Sequence, residues 1–222
     1  TSGHSDVRVT AVEDINVGGA RIATFNGGNV FVNSLEGDVN AGNGANSTLF
    51  VPVIYRDPTT GLFQSGTIFN PRPFGSGILA ISPTEAWQSP GGNPLPGNIT
   101  VETPHGNIVS TLGGIQQFAL NGSIAGGPTI TLTAGTPASE TSPRYPGNVD
   151  LGAGGVVGGT INITAEGNVR GLIVSHQDSN VRAAQSFSGT VLSSGTANIS
   201  ATGGSVSGMV IGIGGVSASA GG

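Results

Sequence analysis

The chain has 222 residues, 40 of them glycine, with 36% hydrophobic residues, only 9% charged and a net charge of −5. An ordinary soluble domain is roughly a quarter charged, so solubility here rests on Asn, Ser and Thr; the seven basic residues are all arginines, dispersed singly from Arg8 to Arg182, which leaves no basic stripe for nucleic acid. Absent cysteine removes disulfides, thiolate metal sites and thiol nucleophiles, and no apolar run approaches the roughly 18 to 20 residues that span a bilayer as a helix.

Near the N-terminus, DVRVTAVEDINV from Asp6 alternates like a strand. A short unit then recurs, Gly followed by Asn, Asp, Ser or Thr and then Val or Ile, at Gly28, Gly37, Gly66, Gly97, Gly106, Gly122, Gly147, Gly159, Gly167, Gly189 and Gly204. Each reads as a turn feeding a strand. The strands share one form, as in NVFVNS from Asn29, NITVET from Asn98, TITLTA from Thr129, NVDLGA from Asn148, TINITA from Thr160 and TANISA from Thr196. Period two puts Ile99 with Val101, Ile130 with Leu132 and Ile161 with Ile163 on a core face, while Thr100, Thr131 and Asn162 meet water.

The rhythm breaks between about residues 45 and 95. Six of the eleven aromatics fall there, Phe50, Tyr55, Phe63, Phe69, Phe74 and Trp87, among prolines that each remove a ladder donor. The expected form is a large loop with a hairpin around Asp57 to Gly61, laid over the flank of the main body. Its aromatics are the candidate interaction surface, either as a satellite core pinning the loop or as exposed platforms for sugars or a neighbouring subunit.

Paired units eight or nine residues apart (Gly28 and Gly37, Gly97 and Gly106, Gly159 and Gly167) could close a hairpin or turn a corner. Over longer range, GTINITAEGNVRG from Gly159 matches GTANISATGGSVSG from Gly195 at a separation of 36. Matches at such spacing suggest stacked coils. The expected fold is therefore all-β, a parallel β-helix formed as one domain over residues 1–222, with a β-sandwich as the alternative.

The segment GGNVFVNSLEGDVNAGNGANS from Gly27, the later DPTTG and PGNITVETPHGNIVS from Pro96, and PGNVDL from Pro146 resemble the filamentous haemagglutinin-like exoproteins of bacteria. That resemblance implies a right-handed parallel β-helix, an extracellular or cell-surface location, and a filament used in adhesion. It also implies glycans of a host or matrix as partners.

Some β-helices are carbohydrate-active enzymes, which need clustered carboxylates. The acids here are dispersed: Glu36, Asp57, Glu85, Glu102, Glu140, Asp150, Glu166 and Asp178 stand alone, and Glu13-Asp14 would face opposite sides of a strand. His4 and His105 have no partners in sequence, and His176 with Asp178 lacks a third ligand or a nucleophile. No catalytic, metal-binding or cofactor-binding residue is expected. The stretch from Asp6 and the apolar SVSGMVIGIGGVSASAGG from Ser205 show no cap, so head-to-tail homopolymerisation is expected.

Overall fold

The computed structural model describes residues 5–25, 27–44, 47–57, 59–74, 76–82, 95–119, 127–139 and 142–222. Among them the chain is all β without helix, and its strands are mostly parallel. It lays down β1 (Val7–Ala11), β2 (Ile15–Asn16) and β3 (Arg21–Phe25), then β4 (Val30–Ser34), β5 (Val39–Asn40), β6 (Ser47–Arg56), β7 (Phe63–Phe74) and β8 (Gly77–Ser82). Next come β9 (Ile99–Thr103), β10 (Ile108–Val109), β11 (Gly114–Ala119), β12 (Thr129–Ala134), β13 (Val149–Asp150) and β14 (Val156–Gly158). The last third alternates β15 (Thr160–Ala165), β16 (Val169–Ser175), β17 (Ser179–Ala183), β18 (Phe187–Ser193), β19 (Thr196–Ala201), β20 (Val206–Gly212) and β21 (Gly215–Ala220).

The alternating stretches form one sheet. Its order is β1, β4, β9, β12, β15, β17, β19, β21, and every neighbour is parallel. The chain leaves this sheet after each strand, crosses a second, eleven-stranded parallel sheet, and returns one position along. The Gly-initiated pairs therefore turn corners: β4 and β5 lie in different sheets, each paired with strands of other circuits. Parallel pairing throughout both large sheets departs from the antiparallel strands of a β-sandwich.

Register sets like on like. Val30, Ile99, Ile130 and Ile161 form one file and Val32, Val101, Leu132, Ile163, Val181 and Ile199 the next, all buried. From the second sheet, Val39, Ile108, Val149, Val169 and Phe187 meet them in a single core. Each such side chain contributes about 1.5–3 kcal/mol by leaving water.

Circuits become shorter beyond β15. Ile99, Ile130 and Ile161 stack at intervals of 31 residues, whereas Ile161, Ser179 and Ala197 stack at intervals of 18. The 36-residue match between Gly159 and Gly195 thus spans two circuits. The change occurs at β16, whose first residues pair with β13 and whose last pair with β14, so two short strands give way to one long strand. Gly171 lies between the two halves at φ +114°, with Gly189 and Gly208 in register on β18 and β20.

The proline-rich stretch differs from the expected loop. β6 and β7 form a long antiparallel ribbon, turned at Asp57–Leu62, where Asp57 Oδ1 accepts from the Thr59 amide at 2.7 Å. Both strands of a two-stranded ribbon are edges, which is why Pro52, Pro71 and Pro73 fit within it. Within the same stretch β8 belongs to the second sheet, between β3 and β11, and all six of its residues are buried, while residues 83–94 lie outside the described residues. Leu79 and Ile81 form a second small cluster with Ala23 and Phe118 on that sheet's other side.

Candidate functional site

Five of the six aromatics proposed from sequence lie on the β6–β7 ribbon. The backbone pairs Phe50 with Phe69, places Tyr55 opposite Gln64, Phe63 opposite Arg56 and Phe74 opposite Ser47, and Trp87 lies outside the described residues. Three other features carry chemistry: the corner ladders, the charged corner and the open sheet edges.

The first ladder runs where the chain enters the second sheet. Asp14 Oδ1 accepts from the Asp38 amide, Asp38 Oδ1 from the amide and Nδ2 of Asn107, Asn107 Oδ1 from the amide and Nδ2 of Asn148, and Asn148 Oδ1 from the amide and Nδ2 of Asn168. It continues from Asn168 Oδ1 to the Ser186 amide and from Ser186 Oγ to the Ser205 amide. A second ladder at the entry to the first sheet joins Asp6, Asn29, Asn98 and the Thr129 amide. On the outer face of that sheet Asn162, Asn180 and Asn198 are linked at 2.9 Å per step. The residue after each corner glycine is thus selected as an acceptor for the amide of the next circuit.

Charged side chains collect along the same corner. His105 Nδ1 lies 2.8 Å from Glu36 Oε2, and the His105 ring is 5.1 Å from that of Tyr145, tilted by 56°. Arg144 Nε donates to Glu166 Oε2 at 3.1 Å, and its Nη2 donates to the Glu166 carbonyl. On the neighbouring face Arg170 is paired with Asp150 in register and holds its carboxyl below the ordinary range, chiefly through the side-chain hydrogen bond. Asp178 is also lowered, by the Thr196 amide and hydroxyl, so its carboxylate is taken by the neighbouring circuit rather than by His176. Glu36 and Glu166 are three circuits apart, about 14 Å at strand spacing, well beyond the 5–9.5 Å between paired glycosidase carboxylates. Among the described residues no group of three or more His, Cys, Asp or Glu could hold a metal ion.

Among the described residues both large sheets have open edges: β21 pairs only with β19 and β20 only with β18, and at the other end β1 pairs only with β4, β2 with β5 and β3 with β8. Met209, Ile211, Ile213 and Val216 are 49%, 47%, 81% and 52% exposed, and every residue of β21 is exposed. Backbone polarity at these edges follows from the register. Amides of the core-facing series point to the following circuit, as Val7 to Asn29 O, Val30 to Asn98 O and Ile161 to Asp178 O. Val216, Ala218 and Ala220 continue that series and so aim their amides at the open side.

No protein-family model, curated protein or solved structure matches the chain. Among the described residues no helix is long and apolar enough to cross a membrane. Sequence reasoning passed over Tyr145 and Gln117. Pro146 separates Tyr145 from the Gly147-Asn148 corner unit, so unlike His105 and Glu36 it carried no local signal of its place.

Proposed function

We propose that the chain is a right-handed parallel β-helix serving as a structural subunit or segment of an extracellular bacterial fibre or adhesin, of the filamentous haemagglutinin-like kind, extended end to end by strand pairing. The observation that carries this reading is the edge formed by β20 and β21, where Met209, Ile211, Ile213 and Val216 are exposed and, among the described residues, no strand pairs with the outer side of either. A parallel edge of this sort recruits another strand. The opposite edge is suited to it: Arg8 and Thr10 alternate with the core-facing Val7 and Val9, so their amides and carbonyls point away from β4 towards an incoming edge. Such a contact joins unlike ends and does not close on itself, so it grows a filament. Handedness follows the strong right-handed preference of connections between parallel strands of one sheet.

Support also comes from the build of the body. Core files and corner ladders repeat from circuit to circuit, and nothing in either is consumed by a reaction centre. The test is electron microscopy with light scattering on the chain and on Ala218→Pro. Proline there removes a donor on the open side and leaves the pairing of β21 with β19 intact. The parent is expected to form elongated particles whose length rises with concentration, and the variant to remain short. Discrete monomers of the parent at high concentration would count against the reading.

A further inference from the structure

We infer that the corner formed by Glu36, His105, Tyr145, Arg144 and Glu166 is a binding surface for a neutral oligosaccharide. The inference deepens the adhesive reading by naming a ligand class and a place, and it uses none of the aromatics of residues 45–95.

Tyr145 is 44% exposed and is the only exposed aromatic among the residues whose burial is described. It is not a loose loop residue. Its amide and carbonyl bond Thr136 at 2.9 and 3.0 Å, closing the base of the loop between β12 and β13, and Thr136 Oγ1 is anchored on Pro104 O of the preceding circuit. An aromatic ring fixed in this way loses little freedom on binding. His105 meets it at a tilt rather than by stacking, so a broad ring surface stays available to solvent. The electron-rich face of such a ring suits the C–H side of a pyranose.

The neighbours supply the polar half. Below the ring, Glu36 engages His105 through Oε2; above it, Glu166 engages Arg144 through Oε2. Each carboxylate keeps Oε1 as an acceptor, Glu36 held beside the His105 ring and Glu166 beside the Arg144 guanidinium, so sugar hydroxyls find oriented acceptors and donors on both sides of one aromatic. Since these groups span three circuits, about 14 Å, the surface suits a short oligomer better than one sugar. Both ends of the line are carboxylates, which disfavours an acidic chain and selects a neutral one.

The experiment is calorimetric titration of the full chain with cellohexaose, maltohexaose, mannohexaose and, as the acidic comparison, hexagalacturonate. A neutral hexamer is expected to bind, Tyr145→Phe to keep the affinity, and Tyr145→Ala to weaken it about tenfold. Circular dichroism checks that Tyr145→Ala retains the β signature; Glu36→Gln, a change at an exposed position, is expected to weaken binding about threefold by a separate contact. Absence of heat with all three neutral hexamers, tighter binding of the acidic one, or equal affinity of Tyr145→Ala overturns the inference. Because the corner belongs to inner circuits, these readings do not depend on whether filaments form, and failure here leaves the fibre reading standing.

Discussion

The glycines that precede the corner acceptors Asn98, Asn107 and Asn148 are required by space rather than by backbone conformation. None of Gly97, Gly106 and Gly147 adopts a positive φ, yet an added Cβ would lie 1.9 Å from Gly28 O at Gly97, 2.1 Å from Gly37 O at Gly106 and 2.2 Å from Gly135 N at Gly147. Carbonyls of the adjacent circuit occupy the volume a side chain would need, and backbone cannot yield as a flexible side chain can. Gly106→Ala is therefore expected to destabilise the protein by about 3 kcal/mol or more. Gly19→Ala, whose Cβ meets nothing within 4 Å at an ordinary φ, should be neutral or slightly stabilising. Urea denaturation of the two variants measures the difference, and equal midpoints would show that circuits at the corner are not in close contact. Residue chemistry and spacing then agree: the glycine admits the neighbouring chain, and the Asn or Asp after it binds that chain's amide.

At the scale of elements, the two adjacent glutamines of β11 show what a strand's phase decides. Gln116 is half-buried, whereas Gln117 is 1% exposed and its side chain ties three places together, donating to Gly97 O at 2.9 Å and Thr129 O at 3.1 Å and accepting from the Gly159 amide at 3.0 Å. Room for it comes from Gly158, its register neighbour on β14, where a Cβ would lie 2.6 Å from Gln117 Oε1. Gln117→Leu takes the side-chain partner from the buried Gly97 carbonyl and Gly159 amide and a second contact from the Thr129 carbonyl, so a loss of about 2 kcal/mol or more is expected. Gln116→Ala should change little, and thermal melts of the pair that coincide would refute the clamp. The alternating strands from Asn29, Asn98, Thr129 and Thr160 were legible because one face is buried and the other solvated. β8 was not, since burial on both faces erases alternation from GILAIS, and the two-residue strands β2, β5, β10 and β13 are too short to show a period. The hairpin turn at Asp57 was readable from DPTTG, but the length of β6 and β7 was not, because proline argues against central strands and says little about a ribbon made of edges. For the charged corner, Glu36, His105 and Glu166 each precede a Gly-Asn or Gly-Asp pair, so their alignment follows once circuits are known; Tyr145 joins them only through the bridge to Thr136, a contact no local pattern encodes.

At the scale of the whole molecule, each strand of the two large sheets pairs with the strands beside it in the sheet order, so its stability depends on how many such neighbours it has. Inner circuits are held on both sides by ladders, files of aliphatic side chains and backbone pairing. β21 is held on one side only and is exposed along its whole length, and β20 is likewise one-sided. Opening such an end exposes little apolar surface that is not already wet, whereas opening β12 or β15 separates Ile130, Leu132, Ile161 and Ile163 from a closed core. Native-state hydrogen exchange should therefore show a gradient, with amide protection lowest in β20 and β21, intermediate in β1 to β3, and highest from β9 to β17. Amides of Val216, Ala218 and Ala220 are the most informative probes, because they point away from β19 and have no ladder acceptor within the chain. In short, unassembled particles they should exchange at rates near those of an unstructured chain. On elongation of the parent they should become protected to the level of the equivalent amides of Ala197 and Ile199, while amides donated towards β19 change much less. Protection that is uniform from β1 to β21 in isolated chains would mean the protein opens as a single cooperative unit, and the picture of independently closing circuits would fail with it.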